Sequence, residues 1–358
     1  MEKEISVRKN TNINELLDEL KKYISKKDMD LVVLAYEFAD KAHAGQVRKS
    51  GEPYINHPLS AAQLLAQMRI DLPIIIATIL HDVPEDTDIG IEEVEKNFGR
   101  DVASMLRGIT KLGKIKYRGI ERYIENLRKM FVAMAEDVRV MIIKFADRSH
   151  NLITLSAQPE NKQLRIALES LEIYAPIANR LGMNEFKGML EDLSFPFVYP
   201  KEYERVKEIR ETVFKDQRIY LQNIMQMAKK ELGKSEIDFI DIHGRQKKLF
   251  SLYQKLLKKN WEPKKIYDIL AVRIIVKDVG DCYATLGVLH KLWRPIKGRI
   301  KDYIAQPKPN GYQSLHTTVF CEGGKTVEFQ IRTQEMHDDA EYGIAAHWHY
   351  DEKTGKKP

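Results

Sequence analysis

LPIIIATILHDVPEDT, residues 72–87, decides how this chain is read. Its first part, Leu72 to Leu80, is the longest apolar run in the sequence. It is well short of the roughly 20 residues that a membrane-spanning helix needs, so it reads as a buried helix of a globular core. Pro73 sits where the first turn of such a helix starts. Pro84 is expected to end the helix carrying His81 and Asp82, since proline lacks the N–H that the next turn needs. Loosened backbone there lets His81 and Asp82 point at one ion. Glu85 and Asp86 follow in the turn, close enough to orient a water or protonate a leaving oxygen.

Working outward, two further segments supply matching residues. Upstream, RKSGEPYINHP (48–58) contributes His57, with Pro58 again in a first helical turn. Downstream, KFADRSHNL (144–152) contributes Asp147. Two His and two Asp suit a divalent ion such as Mn²⁺, Fe²⁺ or Zn²⁺. Such an ion lowers the pKa of a water and neutralises a departing phosphate. Asp147, Asn151 and Thr154 fall at i, i+4 and i+7, so one helical face carries a ligand, an amide and a hydroxyl. Arg48 and Lys49 are placed to hold the anionic or aromatic part of a ligand near His57. An HD dipeptide alone is weak evidence; its combination with an upstream His and a downstream Asp is far more specific. His43 and His150 are left as structural.

The 358 residues suit two domains of ordinary size. Two cysteines, Cys282 and Cys321, cannot build a disulfide framework, which points to a reducing cytosol. The N-terminus lacks the apolar core of a signal peptide. A net charge of +6 does not by itself indicate nucleic-acid binding. Bases do cluster, however, between Gly244 and Lys265 and again from Lys291 to Lys308. Residues 1 to about 155 read as helical. Further helices are expected over about 163–192 and 201–232, with SFPFVYPKEYE (194–204) as a break. Strands follow at 267–276, 314–320 and 326–332, making the second half α+β or mixed α/β. DEKTGKKP (351–358) reads as a disordered tail, and the chain as the N-terminal part of a longer protein.

The second half carries a different chemistry. Lys247, Ser251 and Lys255 fall at i, i+4 and i+8 of an expected helix with Arg245 at its start, which suits a triphosphate. In TVEFQIRT (326–333), Val327, Phe329 and Ile331 alternate with polar residues, so Glu328 lies on the polar face of a half-buried strand. Asp268 and Glu328 could jointly hold Mg²⁺, a hard ion that prefers carboxylate and phosphate oxygens. Asp268 and Arg273 differ by an odd number, so serving one ligand requires that the strand bulge or end between them. PKPNGYQS (307–314) contains a tight turn and places Tyr312 where its ring can stack on a purine. Trp261, Trp293 and Trp348 are assigned to packing.

These motifs, with YAPIANRLGM (174–183), YDILAVRI (267–274), RIKDYIAQPKPNGYQSLHTTV (299–319) and AEYGIAAHWHY (340–350), resemble the catalytic half of the long RelA/SpoT homologues, bifunctional enzymes of the bacterial stringent response. The resemblance covers about residues 25–350. It implies a cytoplasmic, membrane-free bacterial enzyme with an all-helical HD-type hydrolase domain (1–155), a connecting helical region (156–200) and a nucleotidyltransferase-like mixed-sheet synthetase domain (201–350). The hydrolase would use Mn²⁺ on His57, His81, Asp82 and Asp147, with Glu85 and Asp86 as the catalytic acids. Arg48, Lys49, Asn151 and Thr154 would contact the guanosine of ppGpp or pppGpp. The synthetase would move pyrophosphate from ATP to the 3′-hydroxyl of GDP or GTP, with Mg²⁺ on Asp268 and Glu328. Arg245 and Arg273 would sandwich adenine, and Tyr312 would stack on guanine. Lys247, Ser251, Lys301, Lys308, Asn310 and His316 match phosphate- and acceptor-side positions.

The intact HD motif and the Arg299-Ile300-Lys301-Asp302 pattern match bifunctional members of the family. Pro84, Gln246 and Asn179 stand where Val, Pro and His are usual, and none of these departures removes a catalytic group. Ribosome or tRNA contact is expected only through the family's C-terminal regulatory half, which this sequence does not contain. Simultaneous activity would waste ATP, so the two sites are expected to be opposed. A one-way enzyme with the other site inactive, a guanine-nucleotide sensor and an RNA-binding protein are the alternatives.

Overall fold

The computed structural model describes residues 5–113, 120–214, 217–245, 248–266 and 270–348. Within these, side chains are described for all but residues 113, 120–127, 213, 214, 217, 218, 245, 264, 347 and 348. The 351–358 segment, Lys247 and Asp268 lie outside the described residues, as does the side chain of Trp348. Among the described residues the chain forms two compact units, one made of the stretch up to Ala175 together with the stretch from Ala345, the other spanning Pro176–Ile344.

The first unit is built of helices, and its described residues contain no strand beyond one isolated bridge, Val47 with Pro53. At its centre is the helix Asn56–Gln67, buried without interruption from His57 to Ala66. Such a helix cannot be amphipathic, because neighbours cover it on every side. The helices Ile13–Leu20, Leu72–Ile79 and Arg139–Ile153 pack against it. Local chemistry sets the starts of these elements. The Asn12 side chain accepts the Glu15 N–H, Ser25 that of Asp28, and Asp71 that of Leu72.

Two sequence expectations need correction here. The apolar helix stops at Ile79, so His81 and Asp82 occupy the turn before the short helix Val83–Asp86. Pro84 has no N–H to give the Leu80 carbonyl, which instead accepts from Val83 at 3.1 Å in a tighter turn. The helix expected over 163–192 is divided into Glu160–Glu169, a π-turn Ser170–Tyr174, Ala175–Arg180 and Asn184–Val198. Gly182 breaks the run with φ 77°. In the second unit a Cβ on Gly182 would lie 3.0 Å from the Cα of Gly343, so the backbones meet too closely for a side chain. The next helix runs through Pro196 to Val198, and Pro200 begins Pro200–Phe214.

The second unit holds one mixed sheet. Its strands are β1 (Phe239–Arg245), β2 (Ala271–Val276), β3 (Arg294–Pro295), β4 (Lys301–Asp302), β5 (Leu315–Phe320) and β6 (Thr326–Thr333). Their order is β1-β2-β6-β5-β3, with β4 also on β5; β2 and β6 run parallel and the other pairs antiparallel. One face is apolar: Val272, Ile274, Val276, Leu315, Val319, Val327, Phe329 and Ile331 pack with Ile224, Ala228, Cys282 and Leu289 from the helices Gln217–Lys234 and Val279–Leu292. Trp293 stacks on Phe329 within that core, as a packing residue should.

Register puts polar residues on the opposite face. Ala271 pairs with Glu328, and Arg273 with both Gln330 and His243; His316 pairs with Gln330 and Thr318 with Glu328. Since paired residues share a face and alternate residues return to it, His243, Arg273, His316, Glu328, Gln330 and Arg332 line one surface. β1 was not anticipated from the sequence, and it corrects the reading of Arg245. That residue ends a strand rather than starting a helix, which begins only at Leu249.

Candidate active sites

Three segments that are distant in sequence meet at the first site. The central helix brings His57, the turn after Ile79 brings His81 and Asp82, and the helix Arg139–Ile153 brings Asp147. His57, His81 and Asp147 each present a ligand atom within 4.8 Å of the others. His57 Nε2 lies 3.2 Å from Asp147 Oδ1 and 3.5 Å from Asp82 Oδ2. His81 Nε2 lies 3.1 Å from Asp82 Oδ1 and 3.9 Å from Asp147 Oδ1.

Hydrogen bonding tests whether this set suits a cation. His81 Nδ1 is 2.7 Å from the Thr78 carbonyl, which can only accept, so in the neutral ring the proton is on Nδ1. Nε2 is then a bare lone pair, buried without a hydrogen-bond partner and facing two carboxylates. An acceptor among acceptors is repulsive until a cation stands between them. The donor set, two imidazoles and two carboxylates, fits a divalent transition metal. Each of the four would hold the ion through the atoms named above.

The protein's own charges are arranged to keep the acids ionised. Burial pushes the Asp147 carboxyl up, but the Lys144 ammonium beside it, with the His57 and His81 rings when these carry protons, brings it well below the usual range. Burial likewise raises Asp82, and the His81 and His57 rings more than offset it when charged; with both rings neutral that role would pass to a bound cation. Burial lowers His57, which favours the neutral ring that a metal requires.

The other residues singled out for this site divide into three groups. Arg48 donates to Asn151 Oδ1 at 2.6 Å, and Asn151 donates to Asp147 Oδ1 at 2.5 Å, so these two belong to the cluster. Glu85 and Asp86 are at the exposed rim. Partial burial raises the Glu85 carboxyl. Asp86 lies 2.6 Å from the Tyr54 hydroxyl, which also stands 3.0 Å from Asp82. Thr154 turns its hydroxyl onto the His150 carbonyl at 3.1 Å, and Lys49 is exposed, with no described hydrogen bond to the cluster. Sequence reasoning missed Tyr54 and Lys144, although both lie three residues from a ligand, in GEPYINHP and KFADRSHNL. It also left His150 as structural, whereas its Nδ1 is 2.8 Å from His57 Nδ1.

The second site lies on the polar face of the sheet. Glu328 Oε1 is 2.8 Å from His316 Nδ1, and His316 Nε2 is 2.8 Å from the Tyr312 hydroxyl. Burial lowers the His316 ring, with Glu328 acting against it. Lys301 pairs with His316 across β4 and β5. Lys308 places its ammonium 4.5 Å from the Tyr312 ring centre and 4.6 Å from that of Tyr303. A turn with Gly311 at φ 79° returns the chain to Tyr312, and Asn310 donates to the Asn179 carbonyl at 3.2 Å. Ser251 sits on the helix Leu249–Lys258. Arg273 is buried and donates to Glu341 at 2.8 Å. Glu328 donates its backbone N–H to the Leu270 carbonyl at 2.9 Å, so the segment entering β2 runs beside it. β2 begins at Ala271, and Asp268, the other residue of the parity argument, lies outside the described residues.

The chain thus combines a helical unit holding a buried His/Asp cluster with a mixed-sheet unit whose polar face carries a carboxylate, an imidazole, an aromatic ring and lysines. Residues 35–184 match the HD domain family, and residues 244–355 match the region found in RelA / SpoT proteins. The guanosine-3′,5′-bis(diphosphate) 3′-pyrophosphohydrolase of Aquifex aeolicus is 49% identical over 90% of this chain and 46% of its own length. The bifunctional (p)ppGpp synthase/hydrolase SpoT of Escherichia coli is 44% identical over 92% of this chain and 47% of its own length. The GTP pyrophosphokinase of Myxococcus xanthus is 44% identical over 92% and 44%. The chain thus carries an HD domain followed by the region found in RelA / SpoT proteins, and it spans about half the length of these curated relatives.

Proposed function

We propose that this chain both makes and destroys (p)ppGpp. One unit hydrolyses ppGpp or pppGpp to GDP or GTP plus pyrophosphate, and the other transfers pyrophosphate from ATP to the 3′-hydroxyl of GDP or GTP. The observation that carries this reading is the convergence of His57, His81, Asp82 and Asp147 at one buried point. Resemblance of both units to relatives named for hydrolysis and for synthesis supports it.

In hydrolysis, His57, His81, Asp82 and Asp147 would hold a divalent ion, Mn²⁺ by the family resemblance, which would supply positive charge for the phosphate oxygens and make a water more acidic. Arg48 and Asn151 orient the guanosine, with Lys49 and Thr154 at its margin. Glu85 and Asp86 take the proton from the attacking water and return one to the departing 3′-oxygen. A Glu85 carboxyl raised by partial burial is suited to holding that proton. Asp86 is oriented by Tyr54.

In synthesis, Asp268 and Glu328 would hold Mg²⁺, which would supply positive charge to the phosphate oxygens during the transfer. Tyr312 stacks on guanine, Arg245 and Arg273 flank adenine, and Lys247, Ser251, Lys301, Lys308, Asn310 and His316 contact phosphates and the acceptor. The chain acts in the bacterial cytoplasm, and no described helix is long and apolar enough to cross a membrane. Any ribosome or tRNA contact would come from a C-terminal regulatory part of the protein.

The test is turnover by the purified chain, with products resolved by anion exchange. ATP and GDP with Mg²⁺ should yield ppGpp; ppGpp with Mn²⁺ should yield GDP and pyrophosphate. Asp82→Ala should abolish only the second reaction and Asp268→Ala only the first. A single active tube with the unaltered chain would establish a one-way enzyme instead.

A further inference from the structure

His150 touches the site without facing its centre, and its neighbours determine where its proton sits. Its Nε2 lies 3.1 Å from the backbone carbonyl of Lys9, which can only accept, so Nε2 carries the hydrogen. Its Nδ1 lies 3.0 Å from Arg48 Nη1, which can only donate, so Nδ1 is a bare acceptor. The two assignments are independent and agree. His57 Nδ1, 2.8 Å from that bare nitrogen, must therefore be the donor. That leaves the His57 lone pair on Nε2, the atom facing Asp147 and Asp82.

We propose that His150 is a positioning residue for the metal centre: anchored on the Lys9 carbonyl, it forces His57 into the tautomer that presents Nε2 as a ligand. The inference rests on the metal-site reading above. It also gives the N-terminal segment a role, because that segment supplies the anchor. The segment is seated by reciprocal bonds between the Ser6 backbone and the Gln67 amide, at 3.1 and 3.2 Å, and by burial of Thr11. His81 is held in its ligating tautomer by a carbonyl directly; His57 is held through an intermediary ring, and the anchoring carbonyl lies 141 residues from His150 in sequence.

The first test needs no variant. In the full chain, ¹⁵N-labelled at histidine, metal-free and above the ordinary imidazole pKa of about 6.5, long-range ¹H–¹⁵N spectra report which nitrogen is protonated. The expected result is a hydrogen on Nδ1 of His57 and on Nε2 of His150. A hydrogen on Nε2 of His57, or on Nδ1 of His150, overturns the proposal. The second test titrates Mn²⁺, followed by the electron paramagnetic resonance of the free ion. His150→Phe should weaken binding by about tenfold to a hundredfold, and His150→Gln, which keeps an acceptor and a donor, should recover most of it. Equal affinity in the unaltered chain and His150→Phe sinks the positioning role and leaves the metal site standing. No Mn²⁺ binding by the unaltered chain sinks the metal site itself. If His150→Phe does not fold, the tautomer spectra decide alone.

Discussion

The Lys144 ammonium lies 3.0 Å from Asp147 Oδ2, three residues along the same buried helix, while Asp147 Oδ1 turns to His57 and His81. One carboxylate thus serves a permanent cation with one oxygen and the histidine side with the other. Burial would favour a neutral amine, but Asp147, then Tyr174, Asp82 and Glu85, raise Lys144 above its ordinary value. Lys144 therefore keeps its charge and partly balances the acids before any ion arrives.

Lys144→Met should leave the Asp147 carboxylate buried without that cation. Metal-free stability is expected to fall by about 3 kcal/mol, read by urea unfolding. Added Mn²⁺ should restore more stability to the variant than it adds to the unaltered chain. The pH dependence follows from the depressed folded-state pKa of Asp147. Its contribution is fully present above the unfolded carboxylate value of about 3.9 and is lost as pH falls through the lower folded value. Acid unfolding of the variant should therefore begin at higher pH. Identical acid profiles would show that the ion pair contributes nothing.

Tyr312→Ala should impair synthesis selectively. A base stacked on an aromatic ring is worth about 1–3 kcal/mol, so the KM for GDP should rise about tenfold or more. Hydrolysis of ppGpp should be unchanged, because Tyr312 belongs to the other unit. An unaltered KM for GDP would remove Tyr312 from the acceptor site.

Glu341 receives both Arg273 at 2.8 Å and Arg332 at 2.9 Å, and Arg332 is 0% exposed. Glu341→Gln should leave two buried guanidiniums without their shared carboxylate and destabilise the sheet unit by about 3 kcal/mol. Differential scanning calorimetry should show loss confined to that unit. A wild-type profile would mean that solvent or another group balances these charges.

Cys282 and Cys321 are buried, and burial pushes both thiols up to about 12. Neither should react with a disulfide reagent at neutral pH until the chain unfolds. The sign of the stability effect is also defined. Above the unfolded thiol value of about 8.5, the unfolded chain loses protons that the folded chain keeps, so stability falls as pH rises. Rapid labelling of the native protein would contradict the burial.

Much of this was legible in the sequence. Leu72 to Leu80 read as a buried helix because no polar face interrupts it, and β2, β5 and β6 showed their β-branched composition. The HDVPEDT segment and its distant partners His57 and Asp147 could be gathered because metal chemistry restricts the residue types that serve it. Other features were not legible. β1 reads FIDIHGR, whose apolar–polar alternation is too short to announce a strand, and it forms by pairing with β2. Gly182 broke an expected helix because another backbone segment, at Gly343, comes against it.

The sequence by itself determined the inventory: which ligands, acids, lysines and aromatic rings exist, and which faces of helices and strands they occupy, since those follow from fixed periodicities. Only the tertiary structure decided how these groups are used. It brought His57, Asp82 and Asp147 to one point, placed Lys144 against one oxygen of Asp147, and set imidazole protons with the carbonyls of Lys9 and Thr78. Hydrogen bonds and charges act over a few ångströms, so their outcome depends on which distant segments the fold brings together.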